Sequence, residues 1–267
     1  MTAIAPRSMR ALARQSTRPL RMIERTVMTY RQGWVILVSG FFEPLFYLLS
    51  VRIGMGRLVG TISIAGHPLR YVDFVAPALL AASSMNGAVY DSTSNVFDKI
   101  KYSRLYDTVL ATPMTVADVA IGEIGWAMIR GQIYAVAFLV TMLVLGLAHT
   151  WWLLLALPIC FLIGLAFASV GMAGATFLRS WTDFDKIQLF TTPMFLLSAS
   201  FFPASSYAPS VRWALQLSPL YHGIALLRGV AAGDIATADL GHVAFLAAMV
   251  LAGLWVVTRR LARMLQA

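Results

Sequence analysis

Four ionisable residues, Glu43, Asp91, Glu123 and Arg130, stand inside otherwise apolar stretches of this chain, and they are the first places to look for chemistry. A charge at mid-bilayer costs roughly 2.5–3.5 kcal/mol on insertion scales, so each must face a protein interior or a water-filled cavity. Two roles fit: a charge network that fixes helix packing, or groups beside a path or its gates. Glu123 and Arg130 lie seven residues apart, on nearly one helix face but beyond the three or four residues a direct bridge needs. Partners elsewhere in the chain are therefore implied. A second concentration of charge is Asp98, Lys99, Lys101, Arg104 and Asp107, alternating with Ile100, Tyr102, Leu105, Tyr106, Val109 and Leu110 until Pro113 ends the run. That pattern predicts a short amphipathic helix in the water interface, either a connection that snorkels its charges or a docking surface for a partner.

Several other chemistries lack their residues. There is no GxxxxGK[ST] loop, and none of the three lysines, Lys99, Lys101 and Lys186, follows a glycine, so ATP cannot be bound by that route. The histidines 67, 149, 222 and 242 are scattered outside any HExxH-like motif, and no GxSxG signature occurs. Cys160, the single cysteine, sits in an apolar run and reads as a small buried hydrophobe. No metal site is expected.

The elements that must position these residues are membrane helices. Of the 267 residues 59% are hydrophobic and only 12% charged, and the mean hydropathy is positive. Apolar runs recur at lengths suited to helices of about twenty residues, without the ten-residue alternation of barrel strands. The expected class is an all-α integral membrane protein. The net charge of +9 gathers at the ends of apolar segments rather than on a soluble basic face, so it reports topology and not nucleic acid.

In chain order, residues 1–33 form a basic arm with seven arginines and one acid, Glu24. Pro19 suits a first turn, which predicts an amphipathic helix over about 18–30, capped by Thr17. Leu20, Ile23 and Val27 would face the bilayer, and Arg18, Arg21 and Arg25 anionic headgroups. This arm does not read as a signal peptide. Residues 34–267 then form one transmembrane domain, with spans near 34–55, 71–96, 116–148, 151–177, 187–202 and 240–257. The second span has a polar half, Ser83, Ser84, Asn86 and Asp91 to Asn95, too polar for lipid, which should line an interface. The fourth carries the small residues Gly164, Ala168, Gly171 and Gly174 at spacings that permit close helix contact. The fifth is short, and the stretch 203–233, broken by Pro203, Pro209 and Pro219, reads as re-entrant helices in the outer leaflet. With both termini cytoplasmic, fifteen of the 21 lysines and arginines fall on the inner side, which the positive-inside rule requires.

These features together resemble the permease subunits of ABC-2 type exporters, within them the nodulation protein J, lipo-oligosaccharide and drug exporter-like branch. The resemblance rests on FFEPLFYLLSVRIGMG at 41–56, YDSTSNVFDKIKYSRLYDTVLATP at 90–113, GEIGWAMIRG at 122–131, and FFP followed by SPLYHGIALLRG near the end. It covers nearly the whole chain. It implies six transmembrane helices, an N-terminal interfacial helix, a cytoplasmic coupling helix and re-entrant helices before the last span. It implies that Phe97, Asp98, Lys99, Lys101, Tyr102, Arg104, Leu105, Tyr106 and Asp107 dock into a separate ABC ATPase subunit, which binds ATP and Mg. A second permease copy, as homodimer or related heterodimer, completes the exporter in the bacterial inner membrane. Glu43, Asp91, Glu123 and Arg130 are then candidates for the path or its gates, and Pro203, Pro219, Tyr221 and His222 for the outer gate. The substrate would be an amphiphile: a lipid-linked or lipo-oligosaccharide, a lipid or a hydrophobic drug. Two other classes compete, an ion-coupled carrier or channel relaying through Glu43 and Asp91, and a membrane enzyme. Collapse of a proton gradient without an ATPase would mark the former, and product formed by the purified chain the latter.

Overall fold

The computed structural model describes residues 18–32, 42, 45–64, 67–103, 105–147 and 150–265. Glu43 and Arg104, as well as Thr17 and the arginines before Arg18, lie outside the described residues. Among the described residues the regular elements are helices and one antiparallel hairpin, β1 (Thr61–Ile64) and β2 (His67–Arg70), paired Thr61 to Arg70 and Ile64 to His67. This hairpin occupies the glycine-rich loop after the first apolar segment. Its β-branched Thr61, Ile62 and Ile64 favour extended backbone, and left-handed Gly60 (φ 64°) turns the chain into it.

Helix α1 (Arg18–Gln32) is followed by α2 (Leu45–Met55), whose last five residues are a π turn. Then come α3 (Tyr71–Lys101) and the short α4 (Leu105–Leu110). Helix α3 is α-helical to Tyr90, π over Asp91–Asn95 and α again from Val96. Next are α5 (Val116–Val144) and α6 (Trp151–Ala175), the latter entered through a 3-10 turn. The last are α7 (Phe184–Leu196), α8 (Pro209–Leu217), α9 (Pro219–Ala232) and α10 (Asp239–Leu265).

Local signals explain the boundaries. Thr115 and Asp118 exchange a capping box at the start of α5. Pro209 and Pro219 each sit in a first helical turn, and left-handed Gly233 (φ 75°) ends α9.

Four helices are long and apolar enough to cross a membrane among the described residues: α3, α5, α6 and α10. The chain is thus an all-α, multi-pass membrane protein. Of the six expected spans, the first lies partly outside the described residues, where only α2 is seen. Helix α7, standing for the fifth, has 13 residues and reaches about 20 Å, short of a hydrocarbon core of about 30 Å.

Helix α3 is the centre. Its most apolar window is 83% buried, against 22% for α10, which turns leucines and tryptophan outward. Small residues let the others close on it. Gly171 of α6 faces Ser92 of the π turn, and Gly164 meets Met128 and Ala88. Gly253 of α10 lies against the backbone of Ser169, so near that a Cβ would come within 2.7 Å of it. Gly174 faces open space and takes no part.

Helix α1 packs on α5, with Met22 and Thr26 buried and Gly122 and Gly125 accepting Met22 and Ile23. This corrects the expected orientation of Ile23, which lies on protein. Leu20 and Val27 do remain exposed.

Candidate functional site

Three of the intramembrane charges, Asp91, Glu123 and Arg130, join Lys99 in a ladder of two ion pairs. Arg130 Nη1 of α5 donates to Asp91 Oδ1 of α3 at 2.8 Å, and its Nε to the Tyr134 hydroxyl at 2.8 Å. Eight residues further along α3, Lys99 Nζ donates to both Glu123 oxygens, at 2.9 and 2.7 Å. Both pairs are buried, the Arg130 and Asp91 side chains only 6% and 1% exposed. The partners that Glu123 and Arg130 require are therefore on the antiparallel neighbour. Each helix contributes to the ladder an acid followed along the chain by a base, so that antiparallel packing sets acid against base at both rungs and fixes their register as well as their direction. Glu123 meets a residue expected at the docking surface, Lys99, so the ladder reaches from the membrane interior to that surface.

Beside the ladder lies a cavity of about 720 Å³. One wall is the polar half of α3, with Ser83, Asn86, Tyr90, Thr93 and Ser94, and the neighbouring Arg130 and Tyr134. The other is α7, with Gln188, Thr191 and Thr192 below Phe195 and above Trp181 and Phe184; Tyr47 of α2 closes a third side. The lining is hydroxyls, amides and aromatic rings around one ion-paired guanidinium, centred 5.5 Å from the rings of both Tyr90 and Tyr134. Such a set accepts a polar, hydrogen-bonding group flanked by apolar surface. Ser84, Asp91 and Ser92 belong to the same polar half but turn into the helix contacts instead. Among the described charged candidates, Arg130 alone lines this space; Asp91 and Glu123 are buried outside the lining.

At one end of α3 the chain makes the expected amphipathic connection, in two pieces. It leaves the helix at Tyr102, where Ser103 N–H reaches back to Asp98 O at 3.0 Å, before α4 begins. Phe97 and Tyr106 are buried within the chain, and burial, with the Glu123 carboxylate second, raises the Tyr106 hydroxyl well above its usual range. The surface offered outward is Lys101, Tyr102, Ser103, Asp107 and Thr108, with Asp98, Lys99 and Leu105 half-buried behind it.

Of the outer-gate candidates, Pro219 opens α9, which carries Tyr221 and His222 and packs on the Tyr71–Tyr90 part of α3, and Pro203 stands in the turn after α7. His222 has its pKa lowered, first by burial. Its Nε2–H faces Gln216 O at 2.8 Å and its Nδ1 lies 2.7 Å from His242 Nδ1, the arrangement of one donor and one acceptor on each contact. Its ring stacks on Phe245 at 4.0 Å, and Tyr221 packs edge-on to both histidines.

Arg228 of α9 binds the turn after α7 to the start of α3. It donates to Phe74 O at 3.2 Å, Ala199 O at 2.7 Å and Ser200 O at 3.1 Å, lying 3.6 Å over the Phe74 ring. The Ala199 and Ser200 carbonyls belong to the turn after α7, where Ala199 takes a left-handed φ of 56°, and Phe74 O belongs to α3. Tyr71 OH donates to Phe201 O of the same turn at 3.2 Å. An arginine in an apolar run, LLRG, was the only signal available.

A model of the ABC-2 type transporter family matches residues 20–231. Among curated proteins, nodulation protein J of Sinorhizobium fredii is 31% identical over 206 residues, 76% of this chain and 77% of its own. Nodulation protein J of Rhizobium leguminosarum bv. viciae is 28% identical over 217 residues, 80% of this chain and 82% of its own. The inner membrane transport permease YadH of Escherichia coli is 24% identical over 198 residues, 72% and 75% of the two chains.

Proposed function

Because this chain belongs to the ABC-2 type transporter family, we propose that it is the permease subunit of an ATP-driven exporter carrying an amphiphile from the cytoplasmic side outward. The observation that carries this reading is the cavity walled by α3, α5 and α7, polar and aromatic within, beside a charge ladder that runs to the exposed α3–α4 connection. The sequence has no GxxxxGK[ST] loop, and in this reading hydrolysis belongs to a separate ABC ATPase subunit that binds ATP and Mg. Lys101, Tyr102 and Asp107 offer that subunit a mixed-charge, aromatic docking surface. A second permease copy, identical or related, would cover the exposed face of α7 and turn the two cavities toward a shared path. Rocking of the halves on ATP closure then opens the path outward past Pro203, Pro219, Tyr221 and His222.

Arg18, Arg21 and Arg25, on α1, would face anionic headgroups of the inner leaflet, with residues 1–33 forming the arm and 34–267 the transmembrane domain. The substrate's polar head meets the hydroxyls and amides of the cavity while its apolar part stays against α7 and lipid. The classes that fit are a lipid-linked or lipo-oligosaccharide, a lipid or a hydrophobic drug.

The test is purification of the tagged protein from its own host in mild detergent, with mass spectrometry and an ATPase assay. A stoichiometric ATPase is expected, and Lys101→Glu with Asp107→Lys should release it from a still-folded permease. Recovery of the chain alone under several solubilisation conditions would move an ion-coupled carrier to first place.

A further inference from the structure

The connection that receives the ATPase in the reading above and the helix that walls the cavity meet at one place, a cluster of four aromatic rings. Phe97, fully buried on α3, touches Tyr102 at 5.9 Å, Trp181 at 5.4 Å and Phe184 at 5.2 Å, each nearly edge-on. Tyr102 stacks on Trp181 at 5.8 Å with 20° between the planes, and Trp181 packs on Phe184 at 5.2 Å. Trp181 and Phe184 also line the cavity. The rings thus run without a break from the proposed docking surface to the wall of the cavity.

The mechanics of the two sides differ. Phe97 is held by α3, which both ion pairs tie to α5. Tyr102 and Trp181 are about half exposed and stand where the backbone is no longer helical on one side and just entering α7 on the other. Helix α7 buries none of its own residues. It is fastened at its far end by Arg228 and at its near end by these rings and the Ser180–Asp183 box. A displacement at Tyr102 therefore cannot be absorbed by Phe97; it passes across the stacked pair to Trp181 and into the first turn of α7.

We propose that the Phe97–Tyr102–Trp181–Phe184 cluster is the joint through which movement of the docking connection repositions α7 and so sets the width of the cavity. Phe97 is the fixed bearing, and Tyr102 and Trp181 are positioning residues that carry the movement. This rests on the permease reading, and the experiment separates the two.

The chain's single cysteine, Cys160, is buried, so the full-length variant C160S/Q188C carries one reactive thiol on the α7 wall. It would be reconstituted with the ATPase that co-purifies with it, and labelled with a water-soluble methanethiosulfonate reagent, with and without ATP plus vanadate. In this parent the labelling rate should change by about fivefold or more on trapping, and adding Trp181→Ala should reduce the change to less than about twofold. ATPase stoichiometry should stay at the parental level, since Trp181 stands outside the docking surface, and Trp181→Phe should restore the change. Trp181→Leu, which keeps an apolar side chain without a ring, serves if Trp181→Ala does not fold. Persistence of the parental change in the folded ring-less variant overturns the proposal, as does a parent with bound ATPase and no change at position 188. A parent that retains no ATPase overturns the permease reading itself.

Discussion

Helices α3 and α7 face each other across one cavity and are built in opposite ways. Helix α3 buries sixteen of the twenty residues from Tyr71 to Tyr90 and is tied to α5 by two ion pairs. Helix α7 buries none, leaves Leu189 and Phe190 more than 70% exposed, and is held only at its ends. One wall is a fixed scaffold, whereas the other is a panel hung between two fastenings. A transporter needs both, because a path that opens and closes must change shape against something that does not.

The largest test of this contrast is the ladder. Asp91→Ala leaves the Arg130 guanidinium buried without its carboxylate, and should cost about 3–5 kcal/mol in detergent unfolding. Replacing both partners, Asp91→Leu with Arg130→Met, should recover most of that loss, since the desolvated charge is gone. Transport by the double variant then separates packing from path: retained transport assigns the pair to the scaffold, and lost transport in a stable protein assigns Arg130 to the cavity. A negligible cost for Asp91→Ala would remove the distinction between the two walls.

A smaller effect is expected at the far fastening of the panel. Arg228→Met withdraws a charged donor from the Ala199 and Ser200 carbonyls, and should cost about 2–3 kcal/mol while leaving the ladder intact. Limited proteolysis should then cut first near 197–206. Smaller still, Leu189→Ala and Phe190→Ala, on the exposed middle of α7, should change the single chain's stability by no more than about 0.5 kcal/mol. A larger loss in the assembled transporter than in the isolated chain would show that a partner covers this face.

How much of this could be read beforehand follows the same division. The long helices announce themselves, because apolar length and caps such as Thr115 with Asp118 are local signals. The requirement for partners at Glu123 and Arg130 also follows from their spacing. Which partners they find does not, since it depends on the register of two antiparallel helices, set by contacts such as Gly171 on Ser92 and Gly164 on Met128. The polar half of α3 was visible as a face unfit for lipid, yet its split into cavity residues and packing residues depends on where α6 crosses. The amphipathic run after α3 was legible as one helix. It breaks at Tyr102, whose ring stacks on Trp181 some eighty residues away, a contact no local pattern contains. Arg228 was missed for the same reason: its acceptors are carbonyls of a distant turn.

The near fastening of α7 supplies the smallest effect and a signed one. Asp183 accepts from Arg179 N–H at 2.8 Å and Ser180 N–H at 3.2 Å, and pairs with Lys186 at 2.6 Å. Lys186 first, then the two backbone donors, lower its pKa to about 2. A carboxylate depressed in the folded state stabilises fully above its unfolded value, near 4, and that contribution disappears as the pH falls through the folded value. The difference in unfolding midpoint between the protein and its Asp183→Asn variant should therefore be constant from neutral pH to about 5, shrink below about 4 and vanish near 2. Carboxylates elsewhere titrate in both proteins and cancel in the difference. If the difference has already vanished by pH 4, Asp183 titrates like any exposed acid, the Ser180–Asp183 box does not hold, and the panel is fastened at that end by the aromatic rings alone.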